Sequence, residues 1–270
     1  MDSFGIPMKP FITFTSDFGL KDNYVAGVKG FLWTHLPEAI LLDITHEIPS
    51  FSPEFALPHL LDLLERCPRG TIHLVVVDPG VGSPRRPLLG MSDEFFIVLP
   101  DNGLPHLLTA WIPDLRFRHL ANIRLFGGSD SPTFQGRDLF APAVVYLANG
   151  NPPEQLGPEI SHGALIKDRF QQEQSRSKIL VWNIDRFGNI LLGYRVTRTP
   201  DRIDIWHGET RIPYVTRYQS VSPGQAGCLI NSSGWLEVFC REGNAAEFTG
   251  IKVGDRIHVQ IKGGEGRFLA

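Results

Sequence analysis

Short, wholly apolar runs alternate along the first half of the chain with segments whose apolar residues recur every three or four positions. Residues 11–15 (FITFT), 39–44 (AILLDI), 71–77 (TIHLVVV) and 95–99 (FFIVL) read as strands, and residues 24–35, 53–65 and 138–149 as helices. Strands apolar throughout need cover on both sides, so this alternation predicts an α/β unit: a mostly parallel sheet with helices on both faces. The pattern then changes. Residues 171–178 (QQEQSRSK) are polar and charged like a linker. Beyond them short runs such as 179–182 (ILVW) and 256–261 (RIHVQI) alternate with turns, which predicts an all-β, barrel-like unit. The expected domains are residues 1–174 and 175–270.

Ligands of open α/β sheets bind at the carboxyl ends of the strands. Three polar loops follow predicted strands, at residues 15–22, 78–86 and 100–103. In the first, Asp17 and Asp22 flank Gly19, where carboxylates can accept both hydroxyls of a ribose; alternatively, Asp22 caps the following helix. In the second, Asp78 and Arg85 stand at the two stems of a glycine turn. Either they pin the turn, or they set a fixed cation beside a carboxylate at the mouth of a site. Residues 133–138 (TFQGRD) lead into a helix start, where unpaired amides favour a negatively polarised ligand, with Thr133 or Asp138 as caps in the plainer reading.

Composition narrows the classes. Twenty-six basic against 29 acidic residues give a net charge of −3 without long like-charge runs, which argues against a nucleic-acid partner. Cys67, Cys228 and Cys240 lack metal-site spacing, and nine histidines form no HExxH, so neither disulfide framework nor metal is expected. Neither GxGxxG after the first strand nor GxxxxGK[ST] occurs, which disfavours a conventional dinucleotide or ATP-phosphate site. No apolar run suits a membrane span or secretory leader, and the expected location is the cytoplasm.

Taken in order, TFTSDFGLKDNYVAGVKG (13–30), LLDITHEIPSF (41–51), GTIHLVVVDPGVGSPRR (70–86), LPDNGL (99–104), SPTFQGRDLFAP (131–142), NIDRFGN (183–189) and NSSGWLEVFCREGNAAEFTGIKVGDRI (231–257) span nearly the whole chain. Together they resemble the S-adenosyl-L-methionine hydroxide adenosyltransferase family, which also contains the fluorinases and chlorinases. The resemblance implies a homotrimer, no cofactor beyond S-adenosylmethionine as substrate, and attack on the ribose 5′ carbon that releases methionine. With hydroxide as nucleophile the other product is adenosine. By motif, Asp17 holds the ribose hydroxyls, Asp22 lines the same loop and Phe51 replaces an aromatic on the nucleoside. Asp185 meets the methionine ammonium, Asn189 the adenine edge, and Ser232 and Ser233 lie near the methionine or adenine end.

Asp78 and Arg85 match the hydrolytic branch, where halogenating members carry Tyr and Thr at the places of Asp78 and Val81. That branch has a His in its TFHGRD motif where this chain has Gln135. Gln135 is expected to position the water without exchanging a proton, which makes a slow hydrolase the leading reading. A silent S-adenosylmethionine or adenosine binder and a chloride-using halogenase are the alternatives, the last opposed by the negative charge of Asp78. Leu191-Leu192-Gly193 also departs from the Thr-Asn-Ile type segment that usually follows the DxFGN motif in the family.

Overall fold

A computed structural model describes residues 9–64, 66–129, 133–167, 178–208 and 210–268. The chain divides into two compact units, 1–169 and 170–270. The boundary expected between 174 and 175, and the polar residues 171–177, lie outside the described residues.

The first unit is built on seven strands: β1 (Phe11–Ser16), β2 (Ile40–Thr45), β3 (Thr71–Val76), β4 (Pro87–Met91), β5 (Phe95–Pro100), β6 (Arg116–His119) and β7 (Glu159–Ile160). Their order is β2-β1-β3-β5-β4-β6-β7. The sheet is mixed. The four strands expected from the sequence, β1, β2, β3 and β5, are parallel, whereas β4, β6 and β7 extend it in antiparallel fashion. The added strands are cryptic for physical reasons. β4 opens on Pro87 and contains Gly90, both poor strand signals, and β6 reads RFRH, with Phe117 its one fully buried apolar residue.

Helices α1 (Tyr24–His35) and α4 (Ala141–Ala148) pack with alternate strand residues Ile12, Phe14, Ile72, Leu74 and Val76 in one continuous core. Gly27 and Gly30 each cost α1 about 1 kcal/mol relative to alanine. Burial of Val25, Val28 and Leu32 contributes about 1.5–3 kcal/mol apiece, so packing rather than propensity holds the helix. Helices α2 (Leu57–Leu64) and α3 (Leu104–Trp111) pack on each other and bury Leu57, Leu60, Leu61, Leu104, Leu107 and Leu108 outside that core. The helix expected over 138–149 is two pieces, a π-helical turn Gly136–Phe140 running into α4.

The second unit contains β8 (Lys178–Ile184), β9 (Ile190–Arg198), β10 (Arg202–His207), β11 (Thr210–Ile212), β12 (Ala226–Ile230), β13 (Trp235–Cys240), β14 (Arg256–Lys262) and β15 (Glu265–Phe268), with one short helix, α5 (Ala245–Thr249). All ladders between these strands are antiparallel, in the order β11-β10-β14-β8-β9-β13-β12, with β15 also on β9. The two ends of that path approach each other: the Cys228 amide donates to the Pro213 carbonyl and the Val215 amide to the Cys228 carbonyl, both at 2.8 Å, so the sheet nearly closes into a barrel. Val181, Ile190, Leu192, Ile203, Leu236 and Val238 fill its interior. Gly193 is small of necessity, since a Cβ there would lie 2.2 Å from the Trp182 indole nitrogen.

Gly90 lets β4 lie flat against its neighbours, because a Cβ would sit 2.5 Å from the Ile97 side chain and 3.0 Å from the Phe117 ring. Gly90→Ala is therefore expected to cost about 1–3 kcal/mol, the usual range for overpacking. A lowered urea midpoint checks this, and an unchanged one would show that the tight approach carries no energetic weight.

Candidate active site

Three parallel strands of the first unit end at an aspartate: β1 runs into Asp17, β3 through Val77 into Asp78, and β5 into Asp101. A cavity of about 390 Å³ opens at the first two of these ends. Its lining includes Asp17, Phe18, Tyr24, Phe51, Asp78, Val81, Phe134 and Gln135. Of the residues singled out in the sequence, Asp17, Phe51, Asp78 and Gln135 face this space, and Arg85 is bonded to two of them.

The turn after β3 folds back so that Arg85 meets Asp78 along two edges. Nε donates to Asp78 Oδ1 at 2.8 Å, and Nη2 donates to Oδ2. Both side chains are almost wholly buried, at 6% and 5% exposure. The Gly80 amide adds a third hydrogen bond to Oδ1 at 3.2 Å, and Gly82, at φ 76°, supplies the left-handed residue that the turn requires. Arg85 Nη2 also donates to Gln135 Oε1, while the Phe140 ring lies 5.4 Å from the guanidinium carbon. A guanidinium only donates, so this contact fixes which way the Gln135 amide points. Gly136 lies against the cavity wall, where a Cβ would make ordinary 3.4 Å contacts with Phe18 and Val76.

Asp17 is held differently. Its Oδ2 accepts the Phe51 amide at 3.1 Å, and Phe51 adopts a left-handed φ of 64° with 73% of its surface exposed. Such a conformation costs a non-glycine residue about 1–3 kcal/mol and persists only where its surroundings enforce it. Burial holds the Asp17 carboxyl above its ordinary range, against the lowering pull of the Phe51 amide, and the charge of Asp78 adds to the rise. Behind this loop, Ser16 Oγ bonds His46 Nδ1 at 2.8 Å and the Gly19 amide donates to the His46 carbonyl at 2.7 Å. His46 is thus a structural residue here, as a lone histidine usually is.

Asp22 stands apart from the cavity lining, and α1 begins one residue later than the capping alternative required: Asn23 occupies the cap position, without a side-chain bond. Phe18, Tyr24 and Phe134 are lining residues that the pattern of the sequence did not single out. They form an edge-on cluster with ring centroids 5.3 to 6.0 Å apart, and only the density of aromatics in these two segments hinted at it.

The four remaining candidates belong to the second unit. In the turn after β8, Asp185 Oδ1 accepts the amides of Phe187 and Asn189, and Oδ2 accepts the Asn189 side-chain amide at 3.0 Å. Asp185 and Asn189 therefore hold each other. Ser232 is exposed at the β12–β13 turn, where the Ser233 amide donates to Asn231 Oδ1 at 3.0 Å.

The first unit is thus a mixed α/β sheet with a buried Asp–Arg pair beside a cavity and the second a small antiparallel barrel, and each matches a domain of one two-domain protein family. Residues 12–157 match the family model described as SAM hydroxide adenosyltransferase N-terminal domain, and residues 179–258 its C-terminal domain. The chain belongs to the SAM hydroxide adenosyltransferase family. It is 36% identical to the (R)-S-adenosyl-L-methionine hydrolase of Thermus thermophilus, covering 92% of this chain and 98% of that one. A fluorinase of Nocardia brasiliensis is 26% identical over 67% of this chain and 70% of its own length. A crystal structure of an uncharacterized conserved protein from Thermotoga maritima superposes with a TM-score of 0.80 at 27% identity, covering 92% and 100% of the two chains.

The raised Asp17 carboxyl has a consequence for stability. A folded-state value above the unfolded one means that the folded chain binds the proton more tightly, so stability falls as pH rises through that window. Asp17→Asn removes this term. The variant is expected to melt above the parent at neutral pH, with the gap closing as pH drops into the ordinary carboxylate range. A gap of constant size across that range in thermal melts would contradict it.

Proposed function

We propose that the chain hydrolyses S-adenosyl-L-methionine to adenosine and L-methionine, with water attacking the ribose 5′ carbon. The observation that carries this is the buried Asp78–Arg85–Gln135 set on the wall of the cavity. An ionised carboxylate offers about four lone-pair positions. Three are taken, by the Gly80 amide and the two guanidinium nitrogens, which leaves one to accept a hydrogen from a water molecule. Relatives across most of this chain's length, including those of Thermus thermophilus and Salinispora tropica, carry the name (R)-S-adenosyl-L-methionine hydrolase.

The energetics select how the water reacts. Free hydroxide at pH 7 costs roughly 12 kcal/mol, given water's pKa of 15.7. A carboxylate is too weak a base to supply it. The oxygen instead loses its proton as the O–C5′ bond forms and the C5′–S bond breaks; the sulfonium leaves as the neutral thioether of methionine, and one proton goes to solvent. The pair positions the water and fixes the field around it. The negative charge of Asp78 disfavours a halide in the same place. Gln135 fulfils the acceptor role toward Arg85 but has no titratable group to take up the proton, so turnover is slow.

In the same reading Asp17 serves the ribose from the loop it shares with Asp22, Phe51 the nucleoside face, Asp185, Asn189, Ser232 and Ser233 the methionine and adenine ends, and the protein works as a cytoplasmic homotrimer.

Incubation of the purified protein with S-adenosylmethionine, with and without chloride and with enzyme-free controls, is expected to yield adenosine and methionine in equal amounts. Arg85→Ala and the isosteric Asp78→Asn, each confirmed as folded, are expected to lower kcat at least about 100-fold. Parental turnover in both would remove the pair from the mechanism. Gln135→His is expected to raise kcat and to add an ionisation near pH 6.5 to the rate profile. An unchanged or lowered kcat would show that the missing imidazole does not limit the rate.

A further inference from the structure

The polar loop at residues 100–103 ends a parallel strand, as the two cavity loops do, yet none of its residues lines the cavity. Its side chains turn to the neighbouring loop instead. Asn102 Nδ2 donates to the Val77 carbonyl at 2.7 Å, immediately before Asp78. Its Oδ1 accepts the Leu104 amide at 3.1 Å, so a carbonyl on one side and an N–H on the other fix the amide's orientation. Asp101, fully buried, grips the other stem: Oδ2 accepts Arg86 Nε at 3.0 Å and also Nη2, and the Asp101 amide donates to the Arg86 carbonyl at 2.9 Å. Asp101 Oδ1 is occupied by the Ile166 amide at 3.0 Å. Two consecutive residues of one loop thus fasten the backbone on either side of Asp78 and Arg85.

We infer that Asp101 and Asn102 are positioning residues for the water-binding pair: a clamp across both stems of the 78–85 turn that sets where the Asp78 carboxylate stands in the cavity. The inference rests on the hydrolytic reading above. Between the two anchors runs the turn Pro79-Gly80-Val81-Gly82-Ser83-Pro84, exposed at Val81, Gly82 and Ser83, whose own bonds, from the Val81 amide to the Asp78 carbonyl and from the Ser83 amide to the Gly80 carbonyl, are all local. Such a turn does not fix by itself how far the carboxylate projects beyond the end of β3. Asp78 and Arg85 constrain each other, but a salt bridge can move as a body. The anchors at Val77 and Arg86 stop that motion, because they tie the stems to β5, which pairs with β3 on one side and β4 on the other.

The expected signature is a loss in the chemical step without a loss of substrate binding, since neither residue touches the cavity. Asn102→Asp keeps the shape and the acceptor for Leu104 but sets an oxygen against the Val77 carbonyl. Displacements near 1 Å cost on the order of 100-fold in rate, so kcat is expected to fall about 10- to 100-fold, with KM for S-adenosylmethionine within about twofold. Arg86→Lys, which keeps the charge but loses the two-pronged contact, is expected to act in the same direction and decides the matter if Asn102→Asp does not fold. In an Arg85→Ala background, where the pair no longer exists, Asn102→Asp is expected to bring little further loss.

The experiment is the kcat and KM of these variants and the double variant, measured by adenosine release with thermal melts alongside. Loss of kcat at constant KM, vanishing in the Arg85→Ala background, supports the clamp. Parental kcat in Asn102→Asp and Arg86→Lys, a change confined to KM, or an equal loss with and without Arg85 overturns the clamp while leaving the hydrolytic reading intact. Parental kcat in Arg85→Ala overturns the clamp together with the pair's role in the reaction, since no pair is then left to position, whereas absence of adenosine release by the parent protein overturns the hydrolytic reading itself.

Discussion

The structure around the cavity answers to one constraint, the burial of a guanidinium and a carboxylate side by side. Taking each ion out of water costs several kcal/mol, and their mutual attraction repays this only when geometry is good and the remaining hydrogen-bonding positions are used. Here the demand is met locally. The Gly80 amide and the Gln135 carbonyl oxygen satisfy the pair, the Phe140 ring lies beside the guanidinium, and a tight glycine turn brings both stems together. Replacing a buried ion pair by apolar side chains of similar volume is often neutral or stabilising, which fits a chemical rather than a merely structural role for the retained charges.

The sheet explains why this pair is where it is. Parallel strands place their carboxyl ends on one edge, so β1, β3 and β5 deliver successive polar loops to a common region. The antiparallel extension through β4 has a second consequence: β4 starts two residues after Arg85, so the turn is held between β3 and β4, each paired with β5. The π-helical turn at Gly136–Phe140 then brings Gln135 and Phe140 to opposite ends of one short segment against the same arginine. Such single-turn departures from the α-helix are frequent at functional sites.

The most legible parts of the fold were strands buried on both faces. Runs such as TIHLVVV and FFIVL have few other uses and became central parallel strands, while AILLDI became the parallel edge strand β2, with Ile40 and Leu42 exposed. β4 and β6 escaped because Pro87, Gly90 and the arginines of RFRH mask strands whose identity depends on neighbours distant in sequence. At the site, Asp78 and Arg85 could be paired from their spacing around a glycine turn, but the motif alone favoured a structural pin and left a reactive site as the alternative. Burial and the contact with Gln135, 50 positions away from Arg85, were needed to join them to the cavity. The aromatic wall of Phe18, Tyr24 and Phe134 was hidden because it is assembled from two segments more than a hundred residues apart, and no periodicity within either one reports it.

Isotope tracing follows the attacking oxygen itself. When the purified protein acts on S-adenosylmethionine in ¹⁸O-labelled water, the label is expected to enter the 5′ hydroxyl of adenosine, with methionine released unlabelled. Adenosine lacking the label, a halogenated nucleoside, or methylthioadenosine as the enzyme-dependent product would contradict water attack at the 5′ carbon.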